Sequence, residues 1–430
     1  MRLSGRIAAA IEIVDGLNKR GRPVSLALKE WGQANRFAGS KDRAAIGNMV
    51  YDTMRKRASH QFSMQSETGR ALVLSMIVRD WGIELEELET AFASDNFAPD
   101  PISPEEKKML LAKNPLKNAP EHIKANIPQW LVGAFEKSFG KGWPEQAKAQ
   151  SERPPLDMRV NTLKSSPEKV QKNLGRFSPK PMNIATNGLR ILPGNRDDRI
   201  ANISADESYK KGWVEIQDQG SQIVSALCNA KPGEQVLDFC AGGGGKTLAL
   251  ASMMENRGQI FAHDVDRNRL APIFDRLKRA GVRNVQVRSP QEGALDNLEG
   301  KMDRVIIDAP CTGTGTWRRH PDSRWRLSPA QLEKRVAEQA HILDEAKKFL
   351  RPGAELVYIT CSVLPEENIE QIESFIARNK DFDSTDMKKR WNETYPACKQ
   401  QPIFDRHGAM LSPLSTDTDG FYISVFKLND

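Results

Sequence analysis

The sequence predicts a chain in three parts: an all-α domain over residues 1–125, a small α+β module over 126–216, and an α/β domain over 217–430. Three observations carry this. Before residue 125 apolar residues recur at spacings of three and four, the stripe of amphipathic helices. After Arg153-Pro154-Pro155 comes the alternating stretch Met158-Arg159-Val160-Asn161, the pattern of a strand. Beyond Gln219 five short apolar runs alternate with helix-length segments, the signature of a parallel sheet covered on both faces. At 430 residues the chain also exceeds one ordinary compact core.

In the first part, Ile7, Ile11, Val14 and Leu17 mark one helix. A second is expected with Asp42 as its cap, Ile46, Met49, Val50 and Met54 as its buried face, and Arg55, Lys56 and Arg57 extending charge at its C-terminal end. Segments 71–80 and 84–94 read as helices, and Pro99, Pro101 and Pro104 interrupt them. One more helical segment covers about 129–139. The strands expected in the α/β part are Gln235–Phe239, Gln259–His263, Val285–Arg288, Arg304–Ile307 and Glu355–Thr360. A final run, Gly420 to Phe426, is expected as an added edge strand, antiparallel to the rest.

The formal net charge is +7, and residues 1–60 alone hold twelve basic and five acidic residues. Such a surface suits a polyanion, whose condensed counterions are released on binding, and equally suits an idle solvated face. Five cysteines over 430 residues do not make a disulfide framework, so a reducing compartment is expected. The longest apolar run, Ala71 to Val78, is far short of a bilayer span, and Glu12 and Asp15 break any signal-peptide pattern. No membrane association, no metal and a monomer are the expectations.

The segment Val236-Leu237-Asp238-Phe239-Cys240-Ala241-Gly242-Gly243-Gly244-Gly245-Lys246-Thr247 is an apolar strand, a glycine turn and the start of a helix. Glycines let the backbone approach a ligand closely, and a helix N-terminus offers amide N–H groups to an anion. A phosphate loop needs glycine where Cys240 stands, and a dinucleotide fingerprint needs a third glycine or alanine near Thr247. Both matches fail. Asp264, at the end of the second strand, is placed to accept hydrogen bonds from two ribose hydroxyls. The loop by itself leaves a methyltransferase and a nucleotide enzyme both open.

Two further motifs decide between them. Asp308-Ala309-Pro310-Cys311 follows the fourth strand, and Thr360-Cys361-Ser362 follows the fifth, so both thiols leave the sheet edge that carries the glycine loop. Carbon 5 of a cytosine is a poor nucleophile, and an enzyme must first add a thiolate at carbon 6 to make it attack a sulfonium methyl. Asp308 can hydrogen-bond the pyrimidine, and a second thiol can serve resolution. Cys228 and Cys398 lack this context and are expected in the core; Cys240 is implicated through its backbone alone.

These residues resemble the RsmB/Sun-type RNA 5-methylcytosine methyltransferases, which carry a DxCAAPGGKT-like loop, a DAPC segment followed by RRHPD, and a TCS-x-x-x-EN segment. Here they read Asp238 to Thr247, Asp308 to Cys311 with Arg318-Arg319-His320-Pro321-Asp322, and Thr360 to Asn368. The resemblance implies a NusB-like helical RNA-binding domain, a small RNA-binding module, and a Rossmann-like class I methyltransferase domain using S-adenosylmethionine. It implies Cys361 as nucleophile, Cys311 as the thiol of product release, and Asp308 as the acid near methyl and base. It also implies cofactor contacts from Cys240, Ala241, Gly242, Gly243, Gly244, Gly245, Lys246, Asp264 and Asp308, and cytoplasmic methylation of small-subunit ribosomal RNA. Two positions depart from the family. Gly242-Gly243 replaces Ala-Pro, a turn that loses more entropy on ordering, and Arg288-Ser289-Pro290-Gln291 lacks the acid expected after the third strand.

Trp317, Arg318, Arg319, His320, Arg324, Trp325 and Arg326 interleave rings and cations directly after the Cys311 loop. An RNA-binding surface is expected there, with Arg318, Arg319, His320 and Trp325 touching substrate. Competing readings are a P-loop nucleotide hydrolase, a noncatalytic RNA-assembly protein with a vestigial domain, and a DNA cytosine methyltransferase. The strand-end thiol pair argues against the first two and the TCS segment against the third.

Overall fold

The computed structural model describes residues 1–196, 198 and 201–429. The chain divides into two compact units whose limits differ from the sequence-based boundaries at 125 and 216. One comprises Met1–Pro154, the described part of a stretch starting at Pro193, and Trp317–Leu327; the other comprises Pro155–Leu192 and the remainder.

The first unit is helical. Helix Leu3–Arg20 buries Ile7, Val14 and Leu17, and helix Ser40–Arg55 buries Ile46, Met49, Val50 and Met54. Helix Gly69–Arg79 buries Leu72, Val73, Leu74, Met76 and Ile77; burial on all sides places it at the centre of the unit. It lies so close to the first helix that a Cβ on Gly69 would stand 2.6 Å from the Ile11 carbonyl oxygen. A helix the periodicity did not single out, Val24–Ala34, starts directly after Pro23, whose fixed φ suits an N-terminus. Asp42 is not the cap residue itself. It stands three positions into its helix, accepting from the Gly39 amide (3.3 Å) and from Arg6 Nε (2.9 Å).

The segment Trp317–Leu327 belongs to this helical unit, although it follows the Cys311 loop in sequence. Arg324 is fully buried, donating to the carbonyl oxygens of Asn126 and Gln150 and to Ser151 Oγ, each at 2.8 Å. Its guanidinium lies 4.8 Å from the Trp317 ring centroid, and Trp317 stacks on Phe135. Trp325 Nε1 donates to the Met54 carbonyl (2.8 Å). Burial, with the like charge of Arg55, pulls the Arg324 pKa down to about 9. Arg55, expected to extend a basic surface, is itself buried against Asp52 and donates to the carbonyls of Glu152 and Arg318. Part of the N-terminal charge is therefore internal structure.

The second unit holds two sheets. The smaller contains β1 (Leu156–Val160), β2 (Lys180–Pro181), β3 (Gly188–Ile191) and β4 (Val214–Ile216), antiparallel in the order β2-β3-β1-β4. Helix Pro167–Asn173 packs Val170 into its core of Met158, Val160, Leu174, Leu189 and Val214. The larger sheet has β5 (Gln235–Asp238), β6 (Gln259–Ala262), β7 (Val285–Val287), β8 (Met302–Asp308), β9 (Leu350–Thr360), β10 (Phe382–Ser384), β11 (Ile403–Phe404), β12 (Gly408–Leu411) and β13 (Phe421–Leu428). Its order is β11-β12-β13-β9-β8-β5-β6-β7, with β10 also paired to β13. Strands β5 to β9 are parallel to one another.

Strand β13 is antiparallel, as expected, and it is not an edge. It lies between β9 on one side and β12 and β10 on the other, and nearly all of it is buried. The short strands β10 to β12 carry too little periodicity to announce themselves, so the cover over β13 was not legible. The order reverses at β5, where β6 and β8 lie on opposite sides. Ligands of open α/β sheets bind at such a switch, at the carboxyl ends of the strands.

Candidate active site

The glycine loop emerges from β5 at this switch. Asp238 ends the strand, Gly242 (φ 49°) and Gly244 (φ 82°) take left-handed conformations that favour glycine, and helix Gly245–Met253 follows. A Cβ on Gly244 would meet Ile273 at 2.5 Å. The loop is held despite its four consecutive glycines. The Ala241 amide donates to the His263 carbonyl (2.8 Å), Gly242 N donates to Asp264 Oδ2 (2.9 Å), and Arg276 donates to the Gly243 carbonyl. Arg276 and Arg279 both pair with the buried carboxylate of Glu215. This clamp answers the entropy cost that Gly242-Gly243 carries. Arg276, Glu215 and Gln217, whose side chain lies 3.5 Å from the Gly245 carbonyl oxygen, were not foreseen, because they come from a helix and a strand with no motif of their own.

Asp264 is 2% exposed, and its two oxygens accept from backbone amides of Gly242 and Asp266 (2.9 Å each). Each carboxylate oxygen keeps a second lone pair for a hydroxyl donor. Asp238 is fully buried, with Thr247 Oγ1 donating to it at 2.6 Å and its other oxygen unpartnered. Burial, then the charges of Asp308 and Asp264, pushes its pKa up to about 7 against the opposing effects of Thr247 and Lys246. Lys246 is buried and pairs with Asp308 Oδ2 at 2.7 Å. Burial works against its charge, but Asp308 and then Cys361 outweigh it and its pKa rises.

Three carboxylates and one lysine thus meet at the strand ends. That donor set fits a sulfonium nucleoside, with Asp264 for the ribose and the amides of helix Gly245–Met253 for a carboxylate. A polyphosphate would face the carboxylates. Cys240 stands in this loop with its thiol pushed well above its ordinary range, first by burial and then by Asp264, Asp238 and Asp308. That keeps it a neutral, unreactive thiol. Replacing Asp264 by Ala is expected to weaken S-adenosylmethionine binding by about 1.5–3 kcal/mol, the worth of hydrogen bonds to a charged group; titration calorimetry showing wild-type affinity would remove Asp264 from the site.

The two thiols predicted at the strand ends stand together. Cys311 Sγ and Cys361 Sγ are 3.3 Å apart, and both are free. Residues that the sequence reading gave no role build their frame. Glu367, fully buried, accepts from Thr312 N (2.8 Å), Thr312 Oγ1 and Gln339 Nε2 (3.0 Å), which fixes the Cys311 loop. Asn368 Nδ2 donates to the Ser362 carbonyl (3.0 Å) and Thr360 Oγ1 donates to Asn368 Oδ1 (2.6 Å), which fixes the Cys361 turn. Thr314 Oγ1 accepts from Val363 N, and Gly315 N donates to the Cys361 carbonyl, each at 2.9 Å, tying the two loops together. The Glu-Asn of the TCS segment was the available signal.

The Cys311 thiol is pushed well above its ordinary range, first by its hydrogen bond to Cys361 and then by burial. Cys228 and Cys398 lie in or against the core, as expected.

The substrate residues divide differently. Arg318 (4% exposed) is buried, and Trp325 is half-buried with its ring nitrogen hydrogen-bonded into the helical unit. Arg319 is half-buried and His320 exposed. The alternation of rings and cations looks alike in either role; only the helical unit's carbonyls distinguish them. Among the described residues no three His, Cys, Asp or Glu are grouped to hold a metal, and no helix is long and apolar enough to cross a membrane.

Residues 225–427 match the family described as 16S rRNA methyltransferase RsmB/F, and residues 127–192 match an RsmF/B-like, ferredoxin-like domain. A probable ribosomal RNA small subunit methyltransferase B of Synechocystis is 32% identical over 311 residues, 70% of this chain and 67% of that protein. The chain belongs to the RsmB/F methyltransferase family. Ribosomal RNA small subunit methyltransferase B of Cronobacter sakazakii is 34% identical over 261 residues, and there the match spans 58% of the relative's length. A solved methyltransferase homolog from Pyrococcus horikoshii superposes with a TM-score of 0.58 at 28% identity, over 72% of this chain and 97% of its own. The RsmB/F match takes in the glycine loop, Asp264, Asp308 and both cysteines, and the ferredoxin-like match takes in most of the small sheet. The helical unit before residue 127 lies outside both.

Proposed function

We propose that this protein transfers a methyl group from S-adenosylmethionine to carbon 5 of a cytosine in RNA, with small-subunit ribosomal RNA as substrate. The observation that carries the reading is the pair of free thiols 3.3 Å apart beside the Lys246–Asp308 ion pair at the cofactor loop. When bound, S-adenosylmethionine supplies an electrophilic methyl group. Gly242 to Lys246 and Asp264 hold it, and Asp308 serves both cofactor and base. The Cys361 sulfur bonds to carbon 6 as its proton passes to ring nitrogen 3 of the cytosine, which leaves carbon 5 electron-rich. Cys311, protonated beside it, stays a thiol during attack. Once carbon 5 carries the methyl, water takes the carbon-5 proton while the Cys311 thiol donates a hydrogen bond to the departing Cys361 sulfur, and the carbon 6–sulfur bond breaks to return Cys361.

The target base must leave its stack to reach the thiols. Arg319 and His320 remain the candidates from the 317–327 segment to meet RNA. The site of action that follows is the cytoplasm, where ribosomal RNA is made available in a bacterium. Bisulfite sequencing of ribosomal RNA from cells with and without the gene tests the whole reading. One protected cytosine in small-subunit RNA that disappears with the gene is expected, and an unchanged pattern refutes it.

A further inference from the structure

We infer that a cationic pocket around Trp213, on the second unit and apart from the thiol site, binds single-stranded RNA flanking the target cytosine. This rests on the reading of RNA as substrate. The pocket has a volume of about 620 Å³ and is lined by Lys164, Lys210, Lys211, Trp213, Lys278 and Arg279, with Asp275 the single acid among them. Trp213 is half-buried, with Lys169 Nζ 4.3 Å and Lys211 Nζ 5.4 Å from its ring centroid. Both lysines are exposed, so a base can displace them from the ring while their charges stay within reach of its phosphates.

The pocket is a built feature, not a chance cluster on a loop. It is composite: Lys164, Lys210, Lys211 and Trp213 come from the small-sheet region, and Lys278 and Arg279 from helix Ile273–Ala280 between β6 and β7. Asn161 Nδ2 joins the parts by donating to the carbonyls of Gly212 (2.9 Å) and Ala280 (2.8 Å), and Lys164 Nζ donates to the Arg279 carbonyl (3.0 Å). At Gly212 the backbones approach so closely that a Cβ would stand 1.9 Å from the Arg279 carbonyl oxygen. One turn earlier in the same helix, Arg276 holds the Gly243 carbonyl of the cofactor loop. A strand seated on Trp213 is therefore held by the helix that also supports the cofactor loop.

The charge is available for a ligand. Arg279 is committed to Glu215, and Lys211 has an exposed partner in Glu207 at 3.3 Å, but the ammonium groups of Lys210 and Lys278 are exposed. An aromatic platform ringed by exposed cations matches single-stranded RNA, whose bases present stacking faces and whose phosphates recur along the strand. A duplex hides those faces.

The test uses the full-length protein and a labelled single-stranded oligouridine, which contains no cytosine and so reports binding independently of methyl transfer. Lys210→Gln with Lys278→Gln is expected to weaken binding about tenfold at low salt and to flatten the slope of log affinity against log salt by about 1.4, because two cations no longer neutralise phosphates. Trp213→Leu is expected to weaken binding about tenfold, since the bases no longer have a ring to stack on. Trp213 also packs on the small core, so Trp213→Phe, which keeps a ring, must restore most of the affinity if stacking is the cause. Unchanged affinity and slope in the lysine variant, or equal binding of Trp213→Leu and wild type, overturns the inference. So does polyglutamate competing as well as RNA, which would mark a docking site for an acidic protein. If these variants lose oligouridine but bisulfite sequencing finds no methylated cytosine, the pocket stands and the catalytic reading falls; the reverse result separates them the other way.

Discussion

The Cys311→Ala protein, given RNA and S-adenosylmethionine, is expected to accumulate a protein–RNA adduct that survives denaturing electrophoresis, whereas Cys361→Ala is expected to form none. The two sulfurs are 3.3 Å apart, so geometry alone leaves either free to attack. The motifs separate them: Cys361 stands in the TCS segment and Cys311 in the DAPC segment, and Cys311 is pushed above its ordinary range by its hydrogen bond to Cys361 and then by burial. Without the attacking thiol no bond to carbon 6 forms, and methyl transfer should fall by on the order of 10⁴-fold or more, the scale of a missing covalent nucleophile. Without Cys311, attack and methyl transfer proceed but elimination stalls, so turnover collapses while the adduct grows. Omitting S-adenosylmethionine should suppress the stalled species. Crosslinking by the Cys361 variant and not by the Cys311 variant would reverse the roles, and activity in both would end the covalent mechanism.

Arg324→Ala should destabilise the helical unit by about 2–4 kcal/mol, because it leaves three buried acceptors without their donor and empties the space beside Trp317. The arginine is fully buried and binds the Asn126 and Gln150 carbonyls and Ser151 Oγ, all of which would lose their donor inside the unit. Trp317, stacked on Phe135, would also lose the guanidinium beside it. Arg324→Lys keeps a charge but not a planar group with several fixed donors, so it should recover only part of the stability. Denaturant unfolding followed by tryptophan fluorescence measures this, and a change below about 1 kcal/mol would show that the segment is merely laid on the helices. By the same physics, removing residues 1–125 strips Trp325 of its partner Met54 and exposes the segment that follows the Cys311 loop.

Arg55 and Arg324 show where sequence reading stops. Both stand in stretches rich in basic residues and both read as surface charge, yet each is buried and donates to backbone carbonyls of residues remote in sequence. A charge is buried without a large penalty only where several acceptors converge on it, and that convergence depends on long-range packing that no local pattern encodes. Glu367 and Asn368 differ: they sit in a recognisable segment, but their work of tying the two cysteine loops is visible only when the loops are side by side.

What the sequence by itself determined is local or periodic. The parallel sheet is written in five apolar runs between turn residues, the cofactor loop in a strand, glycines and a helix start, and the paired thiols in two motifs leaving adjacent strand ends. Each depends on residues a few positions apart, where period and turn chemistry act directly. Tertiary structure decided the rest: that β13 is interior, that Trp317–Leu327 folds with the helical unit, that Arg276 and Glu215 stiffen a loop of four glycines, and that Trp213 faces a ring of lysines. In each case the residues that meet are far apart in sequence, and the free energy of their meeting exists only after the chain has closed the loops between them.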